Sequence, residues 1–297
     1  MSKISFKESE SAVSAVVSAV LLLGIMVSII TVINVSYIPE WRTGTEQAHM
    51  DEVFYDMASM KSDMDILAAT INGNSGSTIS VSSPIRMGGG NIPVVSPGKS
   101  SGMLSINSGE FGMMTTASDA SLTYSSGSFL EDLGSIGYLS SNSHFVDQTF
   151  LYESGALTLV QKQLSLMKQS PSIDIRRTDA GSNITLDINA VQLTGPERMI
   201  SSNAVEEVHA RYNYSAVLYA SENLFTEITL VIDTDYPSSW ENFLRTRILQ
   251  AGLYPSEYSL SSNATSVTFT LEGQTGQDIK ANIKKTVFDV NLNVFEN

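Results

Sequence analysis

Residues Ala12–Ile33 read AVSAVVSAVLLLGIMVSIITVI, without one charged side chain. At about 1.5 Å of rise per residue, such a run crosses a hydrocarbon core of about 30 Å as a single α-helix. Ser14, Ser18, Ser28 and Thr31 do not interrupt it, because each hydroxyl can bond back to a carbonyl of its own helix. Beyond the run, Tyr37 and Trp41 fall where an interfacial aromatic belt is expected, and Pro39 is expected to end or kink the helix there. Residues 12–37, from Ala12 through Leu22, Gly24 and Ile33, are therefore predicted to span a membrane. A cleaved secretory signal fits less well, since its apolar part runs only about 7–15 residues and ends at a small-x-small site. Lys3 and Lys7 precede the span, whereas Arg42 lies after it among Glu40, Glu46, Asp51 and Glu52. The short segment 1–11 is thus expected in the cytoplasm, and everything after the span outside the cell.

The polypeptide beyond the span is large enough to fold. The chain has 297 residues, 42% of them apolar, and a net charge of −14. That charge argues against a nucleic-acid partner, because phosphate recognition needs clustered Lys and Arg. Without cysteine there are no disulfides, thiolate nucleophiles or thiolate metal sites. The three histidines, His49, His144 and His209, share no metal-ligand spacing. Neither a cofactor nor a metal is expected.

Met50, Val53, Met57, Met60, Met64, Leu67 and Ile71 recur at spacings of three and four, which is the apolar seam of a helix. Asp51, Glu52, Asp56, Lys61, Ser62, Asp63 and Asp65 take the other faces, and Asn72-Gly73-Asn74 stops the run. Residues 38–72 are predicted to be a helical stalk whose seam packs on the protein's own head or, alternatively, on neighbouring subunits.

From residue 73 to 297 the composition turns to Ser, Gly, Thr and Asn with short apolar alternations, the pattern of strands joined by turns. The fold is expected to be mainly β (α+β): a long N-terminal transmembrane and stalk helix, then an antiparallel β-sandwich-like extracellular head with one or two short helices. Candidate strands lie at Ile79/Val81, Leu104/Ile106, Leu122/Tyr124, Ile173–Arg176 and Ile184–Val191. More lie at Tyr212–Tyr219, Glu227–Ile232, Val267–Leu271 and Val287–Val294. A hairpin is predicted from Thr149–Tyr152 and Ala156–Val160 around Glu153-Ser154-Gly155. In the last strand Phe288, Val290, Leu292 and Val294 form a dry face opposite a wet one of Val287, Asp289, Asn291 and Asn293. One helix is predicted from a Ser238/Glu241 capping box through Trp240, Phe243, Leu244 and Ile248 to Gly252, and a second over Leu159–Lys168.

Chemistry-bearing motifs are sparse. Gly98-Lys99-Ser100-Ser101-Gly102 satisfies the GxSxG nucleophile pattern, but a strand rather than a helix is predicted after it. The same Gly98-Lys99-Ser100 ends like a phosphate loop, yet Pro93 takes the upstream glycine position. Asp233-Thr234-Asp235 offers two carboxylates to a hard cation, though a turn into the next helix explains them better. No nucleophile, base and orienter can be nominated together, so no enzyme activity is expected. Asn183, Asn213 and Asn263 head N-glycosylation triplets in the expected ectodomain, while Asn34-Val35-Ser36 lies too close to the membrane.

Ser11-Ala12-Val13-Ser14-Ala15-Val16-Val17 resembles the start of archaeal type IV pilin-like proteins, in which a short polar leader precedes an AVSPVIG-like helix. Ala15, Val17 and Ser18 replace the usual Pro, Ile and Gly. Residues 87–106 (MGGGNIPVVSPGKSSGMLSI) and 146–161 (VDQTFLYESGALTLVQ) are similar to an uncharacterised group of archaeal surface proteins of the same architecture. The resemblance implies leader cleavage between Ser11 and Ala12, although Glu8 comes after Lys7 where that family's processing motif differs. It also implies a structural or adhesive surface role, with the lipid bilayer, like subunits in a filament or other surface proteins as partners. Ala15, Ala19, Gly24 and Ser28 would let such helices approach closely. The rival expectations are a monomeric tethered binding or sensing module at the cell wall or surface layer and, behind it, a tethered hydrolase.

Overall fold

The apolar run and the seam form one continuous helix. In the computed structural model, which describes residues 6–70, 79–91, 98–118, 132–178, 183–219 and 224–292, it consists of α1 (Phe6–Val32), a π-helical turn (Ile33–Tyr37) and α2 (Ile38–Thr70). Of the two outcomes expected at Pro39, an end or a kink, the helix does not end: it continues through Pro39 behind the π-helical turn. Proline has no N–H to give to the carbonyl four residues back, and its ring crowds that carbonyl. The wide turn just before it takes up the misfit: the Ile38 N–H donates to the Ile33 carbonyl, five residues back.

The rest is mainly β, as expected, and forms three sheets. The first has the order β1 (Ser80–Arg86), β11 (Val205–Tyr219), β16 (Ile279–Leu292), β9 (Asn183–Thr194), β8 (Ile173–Thr178), with β12 (Leu224–Phe225) beside the start of β16. In the second the order is β10 (Arg198–Ser202), β2 (Ser101–Ile106), β4 (Ser135–Ser141), β5 (Thr149–Glu153), β6 (Ala156–Gln161), β7 (Leu164–Gln169). The third runs β14 (Tyr258–Ser262), β15 (Ser266–Glu272), β13 (Glu227–Asp233), β3 (Gly112–Ser118). Pairing is antiparallel except between β16 and β9, which run parallel from Ile279/Ile184 to Asp289/Thr194.

β16 is central, and this corrects its expected wet face. Phe288, Val290 and Leu292 are buried as predicted, yet Val287 and Asn291 are buried too. Both faces of the strand serve a core. Ile279, Ala281 and Ile283 belong to one cluster with β13, β15 and α3 (Pro237–Ala251); Phe288, Val290 and Leu292 belong to another, with α2 and the second sheet.

The 149–160 hairpin forms as predicted. Ser154 and Gly155 at its tip both have positive φ, which suits a two-residue turn with the right-handed twist of its strands. The helix expected over Leu159–Lys168 is instead the end of β6, a turn and β7. Lys162 turns the chain at φ 57°, after which Leu164 and Leu166 alternate with Ser165 and Met167, a period of two. α3 forms and ends at Gly252, φ 64°, as expected, but the Ser238/Glu241 capping box does not. Pro237 starts the helix, and Ser238 lies inside it and meets Ser165 Oγ at 2.9 Å. Glu241 instead binds Arg245 and Ser262, each at 2.6 Å. The Leu122/Tyr124 strand, Asn72-Gly73-Asn74, Ile71, Asn293 and Val294 lie outside the described residues.

Candidate functional site: the apolar helix and its seat on the head

Two halves of one helix meet opposite surroundings. From Val13 onward the apolar half is fully exposed: Val13, Leu21, Leu23 and Ile25 each keep more than 60% of their surface. It is the one helix among the described residues long and apolar enough to cross a membrane. Its polar side chains satisfy themselves, with Ser18 donating to the Ser14 carbonyl, Ser28 to Gly24 and Thr31 to Val27, at 2.9, 2.8 and 2.7 Å. Tyr37 and Trp41 stand one turn apart on the exposed surface, ring centres 6.0 Å from each other. Ser11 and Ala12 lie in the helix's backbone; their side chains are outside the described residues.

The other half is sealed into the head. Met50, Val53, Met57, Met60 and Met64 are buried against Leu104, Tyr138, Phe150 and Phe288, and Leu67 packs at the edge. The seam therefore meets the protein's own sheets. Methionine suits this seat because an unbranched thioether fills the irregular space between two sheets.

Polar contacts fix the register of that seat. Glu46 is buried, and its carboxylate accepts the backbone N–H groups of Ser143, His144 and Phe145 at 3.0, 2.8 and 2.7 Å. Burial pushes its pKa up, but the three donors outweigh burial and hold it below the ordinary carboxylate value. Asp56 grips Arg86 of β1 through both oxygens, at 2.9 and 2.6 Å, and also accepts its backbone N–H. His49 sits 3.4 Å from the Tyr138 hydroxyl, and burial lowers its pKa. Expected on an exposed face, Lys61 is buried and pairs with Asp65 instead.

Gly88-Gly89-Gly90 proves to be part of this seat. A Cβ on Gly89 would lie 2.3 Å from the His49 ring, and one on Gly90 would lie 2.7 Å from Glu46 Cγ. In sequence the triplet reads only as a turn. Glycines there let backbone and helix touch.

The remaining motifs resolve into structural roles. Ser100 of the GxSxG match is buried, exchanges hydrogen bonds with the Gly89 backbone and leads straight into β2. Asp233 and Asp235 are exposed on the rim of an open groove, and no described residues cluster as metal ligands. Thr234 between them turns inward. Its hydroxyl and the Trp240 indole N–H both donate to Glu153, at 3.0 and 2.8 Å. Sequence reasoning missed Glu153, the tip of the predicted hairpin. Burial raises its pKa to about 7, against the pull of those two donors and with the help of nearby Asp235. His209 Nε2 lies 3.3 Å from Glu207, the imidazole largely covered and the carboxylate about half exposed. Of the glycosylation triplets, Asn213 is exposed beside a bulge in β11, Asn263 caps its own turn, and Asn183 holds the Asp278 N–H.

An exposed membrane-length helix continuous with a sealed β head is the organisation to set against known proteins. The chain belongs to the DUF7289 family. The match covers residues 12–281, so the apolar helix, the methionine seam and Glu153 all fall inside it, and the family is one of unknown function. No curated protein and no solved structure matches the chain.

Proposed function

We propose that this protein is a membrane-anchored surface protein with a structural or adhesive role, similar to a type IV pilin-like subunit. In this reading the N-terminus is cytoplasmic, the bilayer surrounds residues 12–37, and the head faces away from the cell. Like subunits are the natural partners of whatever part of the helix leaves the lipid. One observation carries the reading: the apolar half-helix is 0% buried, while both cores of the head close using residues from Met50 onward. Such a surface has no place in water and matches a bilayer or a bundle of identical helices. Ala15, Ala19, Gly24 and Ser28 supply the small side chains that bundling needs. No catalytic step is assigned, because no nucleophile, base and orienter converge among the described residues.

The buried seam favours a second reading. With Met50–Met64 committed to the protein's own head, only the first half of the helix is left for assembly, which suits a monomeric tethered binding or sensing module equally well.

The test is native expression followed by membrane fractionation, external protease treatment, electron microscopy and mass spectrometry of the N-terminus. The pilin-like reading expects a chain that resists alkaline extraction, a protease-accessible head, regular fibres and a mature chain beginning at Ala12. A monomer with an intact leader supports the tethered module. A freely soluble chain overturns both.

A further inference from the structure

Between the last turns of α2 and the first sheet lies a cavity of about 670 Å³. Its floor is set by the strand register. Lys284 of β16 lies between Asn189 of β9 and Val217 of β11; two residues on, Thr286 lies between Val191 and Ser215. These six side chains share one face, and the opposite face of the same strands fills a core with Ile188 and Ile283. Asp65, Ala68 and Ala69 of α2 form the facing wall.

Charges in the cavity are unevenly matched. Asp65 is neutralised by Lys61, whereas Lys284, only partly exposed, has no hydrogen-bond or ionic partner among the described residues. A lysine left uncommitted in a concave polar site is set to receive an anion, against the overall charge of −14. Around it the Ser215 and Thr286 hydroxyls lie 3.1 Å apart, and the Asn189 amide reaches the Ser172 hydroxyl at 3.1 Å, so each pair can turn toward a hydroxylated ligand. Val217 and the two alanines supply apolar surface of the kind a sugar ring's C–H face covers. We propose that this cavity binds an acidic saccharide, with its carboxylate on Lys284, its hydroxyls on Ser172, Asn189, Ser215, Thr286 and Asp65, and its ring against Val217 and Ala69.

Calorimetric titration of the full chain in a non-glycosidic detergent tests this, with tetragalacturonate as the probe and maltotetraose and tetraglutamate as comparators. The expected result is one saturable site for tetragalacturonate, weakened by salt, with each comparator bound at least about tenfold more weakly, since maltotetraose lacks the charge-assisted hydrogen bond to Lys284 and tetraglutamate lacks the ring hydroxyls. Lys284→Met should weaken binding by a similar factor and Lys284→Arg should retain it. Ala69→Trp, on the exposed side of the facing wall, should block the cavity without touching the core, and it decides the matter if Lys284→Met misfolds. Lys99→Ala, at an exposed lysine outside the cavity, should change nothing. The proposal is overturned by an absence of binding, by equal binding of tetraglutamate or maltotetraose, by equal losses in Lys99→Ala and Lys284→Met, or by undiminished binding in Ala69→Trp.

Discussion

Glu153→Gln should make the protein less sensitive to pH, and the effect can be worked from the geometry. The Glu153 carboxyl is buried where the second sheet meets the loop from β13 into α3, receiving hydrogen bonds from Thr234 and Trp240. Both donors are neutral, and the nearby charged group, Asp235, is acidic. Burial raises its pKa from 4.5 to about 7, so the folded chain keeps this proton to a higher pH than the unfolded chain does. Below pH 4.5 both states are protonated and the group adds no pH dependence. Between pH 4.5 and 7 only the unfolded state releases the proton, so stability falls as pH rises, and above pH 7 the loss is complete. At about 1.36 kcal/mol per unit, a shift from 4.5 to about 7 corresponds to about 3 kcal/mol. The glutamine variant can still accept both hydrogen bonds through its carbonyl but has no charge to bury. Urea unfolding of wild type and variant across this window, monitored by Trp240 fluorescence, should show the variant gaining about 3 kcal/mol relative to wild type between pH 4.5 and pH 8. Parallel profiles would refute the reasoning, as would a wild type that gains on the variant with rising pH.

Two further outcomes concern the helix seat. Met57→Ala should cost about 2–5 kcal/mol, since it leaves a cavity between α2 and two sheets, and urea unfolding at fixed pH measures it. Glu46→Gln should cost about 1–3 kcal/mol and raise hydrogen exchange at the Ser143, His144 and Phe145 amides before any other part of the head, as read by mass spectrometry of exchanged peptides.

The features that the sequence determined by itself were periodic. An uncharged run from Ala12 to Ile33, a seam at spacings of three and four and the alternation of β5, β6, β13 and β15 each depend on residues a few positions apart, so they are legible without a fold. Gly252 and the Ser154-Gly155 tip were legible for the same reason, because a positive φ is a local demand.

Tertiary structure decided whatever depended on distant residues. β16 pairs parallel with β9, nearly a hundred residues earlier in the chain, and so becomes a central strand that buries Val287 and Asn291 of its expected wet face. Leu159–Lys168 satisfies a helical spacing in isolation, yet pairing with β6 and packing beside α3 make its second half a strand. Gly89 and Gly90 look like turn residues until His49 and Glu46 are laid on them. Glu153 is an ordinary hairpin residue until burial beside Trp240 makes its proton hard to remove. Local pattern sets which element a segment can form, whereas burial, partner and protonation are set by neighbours that only folding brings within reach.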